Sequence, residues 1–150
     1  MPQQFDLAAI AHVIQLAVAP VFLLTGVGAL LAVFTGRLAR IIDRARVLEV
    51  GLSTAAGHER VERESELKTL CRRARLINRS ISLVTTCALL ISGVIAALFL
   101  GVFFQVDVST LIGLVFVAAM LVLIGGLFTF LGEVYIATQT LRIGLPTKGT

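Results

Sequence analysis

Three apolar runs alternate with one long polar run along this chain. Residues 13–35 are apolar apart from Gln15, Pro20, Thr25, Gly26 and Gly28, and residues 80–104 and 110–131 carry no charged side chain. Each run is long enough to cross a hydrocarbon core of about 30 Å as a helix. The polar run, residues 37–79, holds all of the thirteen Lys and Arg residues except Arg142 and Lys148.

Within the polar run, apolar residues recur at helical spacing: Leu38, Ile41, Ile42, Ala45, Leu48 and Leu52, then Leu67, Leu70, Cys71, Ala74 and Ile77. Two amphipathic arms follow, with a break at Gly51 or Gly57, since glycine readily supplies the left-handed conformation that closes a helix. Gly57 is preferred because it leaves two arms of about twenty residues that would reach the membrane together. Glu59/Arg63 and Glu64/Lys68 have the favourable i,i+4 order for an exposed helix face.

The charges in this run are sorted by sign. Arg37, Arg40, Arg44 and Arg46 outnumber Asp43 beside the first span, and Arg72, Arg73, Arg75 and Arg79 stand beside the second. Glutamates dominate the segment between them. Arginine beside a span is drawn to the anionic inner leaflet and resists translocation, so residues 37–79 are expected to form a cytoplasmic helical hairpin. The expected class is an all-α integral membrane protein, a single membrane domain over residues 1–150. Its first span covers about 13–35, its second about 80–104 and its third about 110–131. A cytoplasmic helical extension follows to about 143, stopped by Gly144 and Pro146. The N-terminus, with Asp6 and no nearby basic side chain, lies outside, and Arg142 and Lys148 keep the C-terminus in the cytoplasm.

Composition supports a membrane protein: 57% hydrophobic residues, 15% charged residues and a mean hydropathy of +0.97 over 150 residues. The formal charge of +4 does not point to nucleic acid, because the basic residues hug the spans and residues 37–79 contain no Phe, Tyr or Trp for stacking on bases. Cys71 and Cys87 would lie about 24 Å apart on one helix, beyond disulfide reach, and are read as reduced. No phosphate loop, metal-ligand spacing or activated nucleophile is present, so neither enzyme activity nor a cofactor is expected.

Several residues are candidates for packing or function. Pro20 removes a backbone donor in the first span and is expected to kink it. Gly26 and Gly28 follow in the same span. Gly93, Ala97 and Gly101 stand four apart on the second span, with Ala88, Ser92 and Ala96 alongside, and such small-residue faces let helices approach closely in lipid. The second span is therefore the expected packing helix. Glu133 sits at the inner end of the third span, where Arg37, Arg40 or Arg79 would neutralise it as a structural ion pair. Asp43 would lie opposite Arg72 and Arg73 and set the register of the two arms. His12 and Gln15 form an outer polar pair suited to a contact between helices. Residues 37–45 echo residues 72–80 at five of nine positions, which reads as shared interfacial chemistry, because one copy leaves the membrane and the other enters it.

Taken together, VAPVFLLTGVGALL at 18–31, RLARIIDRAR at 37–46, Glu66-Leu67, RRARLIN at 72–78 and FLGEV at 130–134 resemble the bacterial membrane family catalogued as domain of unknown function 2721. The likeness covers nearly the whole chain, with the arginine-rich block after the first span its most specific part. It implies a three-span bacterial protein, expected here in the inner membrane, and brings no catalytic residues. The functional expectation is a homo-oligomer that builds a channel or pore, with the hairpins bundled in the cytoplasm. The alternative is a scaffold or regulatory protein whose hairpin binds anionic lipid head groups or a cytoplasmic protein partner.

Overall fold

The computed structural model describes residues 7–53, 56–104 and 107–142. The elements among them are α1 (Leu7–Leu52), α2 (His58–Phe104) and α3 (Ser109–Arg142), so the expected all-α class holds. All three helices are long and apolar enough to cross a membrane. At 46, 47 and 34 residues they run for about 70, 70 and 50 Å, each beyond a hydrocarbon core of about 30 Å. Their most apolar stretches are only 17%, 17% and 11% buried within the chain, which leaves most of the apolar surface facing outward, as helices in lipid do. Asp6, Gln105, Gly144, Pro146 and Lys148 lie outside the described residues.

The helices carry their buried residues in alternating steps of three and four. On α1 these are Val13, Ala17, Pro20, Val27, Phe34, Ile41 and Leu48, with Leu24, Leu31, Leu38, Ala45 and Leu52 half-buried at the intervening steps. On α2 they are Leu70, Ile77, Ser80, Val84, Cys87, Ile91 and Val94, and on α3 Ala119, Gly126 and Glu133 stand seven apart. A repeat of 3.5 residues keeps one narrow seam facing a neighbour, the spacing of coiled-coil packing. Ile42 and Cys71, expected on the apolar stripes of the arms, fall outside this seam and are exposed.

The chain divides into two compact units. Residues 1–32 and 83–124 form the first, where Val13, Ala17, Pro20 and Val27 of α1 and Val84, Cys87, Ile91 and Val94 of α2 are buried. At the start of α3, Asp107 accepts hydrogen bonds from the Ser109 hydroxyl (2.6 Å) and backbone N–H (3.0 Å). The hydroxyl first, then the N–H, holds the Asp107 carboxyl below its ordinary range.

Residues 33–82 and 125–150 form the second unit. Here the end of α1 and the start of α2 are antiparallel arms: Arg44 Nε and Nη2 donate to Glu66 Oε1 at 3.0 and 2.9 Å, each partner lying eight residues from its end of the reversal. Gly51 is still helical, whereas Gly57 has φ 62°, the left-handed conformation favoured by glycine. Gly57 stands directly before α2, so its conformation launches the second helix instead of closing the first.

The Arg44–Glu66 bridge sets the register of the two arms. Asp43 is therefore level with Leu67, not with Arg72 and Arg73 as expected. It also lies two residues from the buried Ile41, which turns it to the far side of the helix, where it is exposed. Glu59 pairs with Arg63 as its spacing predicts, while Glu64 pairs back to Arg60 at 3.3 Å and not forward to Lys68.

Candidate functional site

In the second unit, one carboxylate gathers side chains from all three helices. Glu133 of α3 is fully buried, in a stretch of otherwise apolar and small residues. Arg73 of α2 donates from Nε (3.0 Å) and Nη2 (2.9 Å) to Oε1. Arg37 of α1 places Nη2 3.2 Å from Oε2, close enough to neutralise it but without the alignment of a hydrogen bond. One negative charge thus faces two positive ones. A carboxylate taken out of water needs such pairing, because its desolvation is otherwise prohibitive.

The helical repeat puts aromatic rings beside the charges. Phe34 precedes Arg37 by three residues on α1, and Phe130 precedes Glu133 by three on α3, so each pair shares a helix face. The two rings stack with centroids 4.2 Å apart at 24°, and the Arg37 guanidinium lies 5.2 Å from the Phe130 centroid. Arg37 is therefore held by a carboxylate on one side and an aromatic face on the other. One turn from Glu133, the hydroxyls of Ser80 and Thr129 meet at 2.8 Å and join α2 to α3. Both also lie within bonding distance of their own helix: Ser80 of the Leu76 carbonyl, and Thr129 of the Gly125 and Gly126 carbonyls.

Next to these pairs is a cavity of about 420 Å³ lined by Arg37, Arg40, Ile41, Arg44, Leu70 and Arg73. Of the predicted arginine cluster, Arg37 and Arg73 are half-buried, Arg40 and Arg44 reach the cavity from the exposed side, and Arg46, Arg72, Arg75 and Arg79 are exposed. Arg37 was one of the three partners expected for Glu133, and the second is Arg73 in place of Arg40 or Arg79. Phe34, Ser80 and Thr129 were not singled out from the sequence, and Glu66 and Phe130 entered only within the motifs of the family resemblance. The three-residue spacing of the two aromatic and charged pairs was the signal available.

The other predicted positions lie in the first unit. His12 and Gln15 are exposed, as are Gly26, Gly28 and Gly93, and a side chain added at any of those three glycines would meet nothing within 4 Å. Ala97 and Gly101 are half-buried. Pro20 and Gly101 line a mostly apolar cavity of about 600 Å³ in this unit. Among the described residues, no three His, Cys, Asp or Glu side chains are grouped to hold a metal ion.

Residues 17–143 match a family described as proteins of unknown function, DUF2721. No curated protein and no solved structure matches the chain.

Proposed function

The chain belongs to the DUF2721 family, and from that premise we propose that it is a non-enzymatic, homo-oligomeric protein of the bacterial inner membrane. Neighbouring α2 helices meet to form a channel or pore in this reading. The observation that carries it is the outward face of α2 in the first unit. Val84, Cys87, Ile91 and Val94 are spent inside the chain, while Thr85, Thr86, Ser92, Gly93 and Ala96 are exposed around Leu89, itself 69% exposed. Lipid gives no hydrophobic drive to helix association, so a small and hydroxyl-bearing face contributes most where another helix can approach it closely.

Gly93 tests this directly, because added side-chain atoms there have open space within the chain. Gly93→Leu should leave the protomer folded and break the assembly, measured as subunit number in lipid nanodiscs by native mass spectrometry. A variant that keeps the wild-type subunit number would count decisively against α2 as the contact. Gly101→Leu is the weaker test, since Gly101 lines a cavity within its own chain.

In the same reading the arms carrying Arg37–Arg46 and Arg72–Arg79 lie in the cytoplasm, the N-terminus outside and the C-terminus inside, as the weight of arginine beside the spans favours. The exposed Cys71 supplies a native probe, whereas Cys87 is buried. A membrane-impermeant maleimide should label Cys71 in inverted vesicles and spare it in intact spheroplasts. Labelling from the outside would reverse the orientation.

A further inference from the structure

We propose that the arginine-lined cavity of the second unit is a binding site for a phosphate group. This goes beyond the oligomeric reading and stands without it; only a lipid source for the phosphate rests on the membrane assignment. The cavity is lined by four guanidiniums and two aliphatic side chains, with no carboxylate among the lining residues. The two acids that pair with these arginines are Glu133, shared by Arg37 and Arg73, and Glu66, bound by Arg44. Positive charge therefore remains in excess around the cavity. Arg40 has the least compensation, its described contact being Nε to the Gly36 carbonyl at 3.4 Å.

Geometry favours an anion with several acceptor oxygens. Arg37, Arg40 and Arg44 fall on one face of α1 through the three-and-four spacing, and Arg73 comes from α2. A guanidinium carries five N–H donors, and Arg73 and Arg44 each commit Nε and Nη2 to a single carboxylate oxygen, which leaves their other N–H groups available. Those bonds fix the orientation of the forks before any ligand arrives. Preorganised, planar donors suit phosphate better than a mobile ammonium would. Ile41 and Leu70 supply apolar wall, which weakens screening and strengthens each charged contact. A volume of about 420 Å³ lies within the ordinary range for small-ligand sites and has room for a phosphate with part of its ester. The exposed side chains of Arg40 and Arg44 leave the cavity open to entry.

The phosphate could be a phosphodiester lipid head group or free inorganic phosphate, and titration separates them. The full-length protein, held in a phosphate-free maltoside detergent, is titrated in one arm with short-chain phosphatidylglycerol and in the other with inorganic phosphate. Native mass spectrometry counts bound molecules per protomer. Saturable binding of one molecule per protomer in either arm is expected, and the arm that binds identifies the source. Arg40→Gln should weaken that binding about tenfold, the scale of one charge-assisted hydrogen bond. Arg75→Gln, which removes an equal charge from an exposed arginine away from the cavity, should leave it unchanged. Arg40 is exposed and its described hydrogen bond is to its own helix, and an unchanged helical circular dichroism melt verifies that each variant is folded. No saturable binding in either arm, binding indifferent to Arg40→Gln, or equal weakening by both variants would overturn the proposal.

Discussion

Glu133→Gln is expected to destabilise the protein by about 3 kcal/mol, the lower end of the range for breaking a buried ion pair. The amide has nearly the same shape, so no cavity arises and the effect isolates charge. Its oxygen can still accept from Arg73, but its NH2 group then turns towards Arg37, setting donor against donor. Two guanidiniums are left with no negative partner at a fully buried position. The side chains of Arg37 and Arg73 retain 29% and 21% of their exposure, and that residual hydration keeps the cost below the upper end of the range. Thermal unfolding in detergent, followed by loss of helical circular dichroism, measures it. Adding Arg37→Met to Glu133→Gln should recover part of the loss, because it removes the less well aligned of the two stranded charges. A midpoint for Glu133→Gln within error of wild type would mean that the carboxylate is not the keystone of this unit.

Phe34→Ala is expected to cost a similar amount, about 3 kcal/mol, for a different reason. The ring is fully buried and stacked on Phe130, so truncation opens a cavity at the meeting of α1 and α3. Where lipid is the surrounding solvent the transfer part of that cost shrinks, yet the loss of packing contacts remains. The Phe130 ring also loses its support beneath the Arg37 guanidinium. Phe22, 73% exposed on the same helix, provides the comparison. Phe22→Ala should shift the unfolding midpoint little, and Phe34→Leu should restore most of the loss. Equal effects at Phe22 and Phe34 would show that the stack contributes nothing beyond apolar area.

The three helices, their approximate limits and the left-handed Gly57 were legible in the sequence because length, hydropathy and glycine chemistry are local properties. The partners of Glu133 were not. Counting arginines near the end of a span sets their depth but not their angle around the helix, and Arg37 and Arg73 reach Glu133 because they share the faces of Phe34 and Ile77. Register was also beyond reach. Centring the reversal on Gly57 placed Asp43 opposite Arg72 and Arg73, and the bridge from Arg44 to Glu66 brings Leu67 level with it instead. The small residues of α2 show another kind of gap. Spacing identifies a face open to close approach, but within one chain the larger Val84, Cys87, Ile91 and Val94 do the packing and Gly93 stays open.

The ion pairs at Glu133 have a consequence for the order in which the molecule is made. Arg37 and Arg73 leave the ribosome well before Glu133, which belongs to α3. Until α3 arrives, the half-buried arginines of α1 and α2 have no carboxylate between them, and water is their cheapest partner. The nascent arms therefore cannot close fully at this level during synthesis. Arrival of α3 supplies the missing charge and the second aromatic ring together, so this unit completes as a single event when that helix docks.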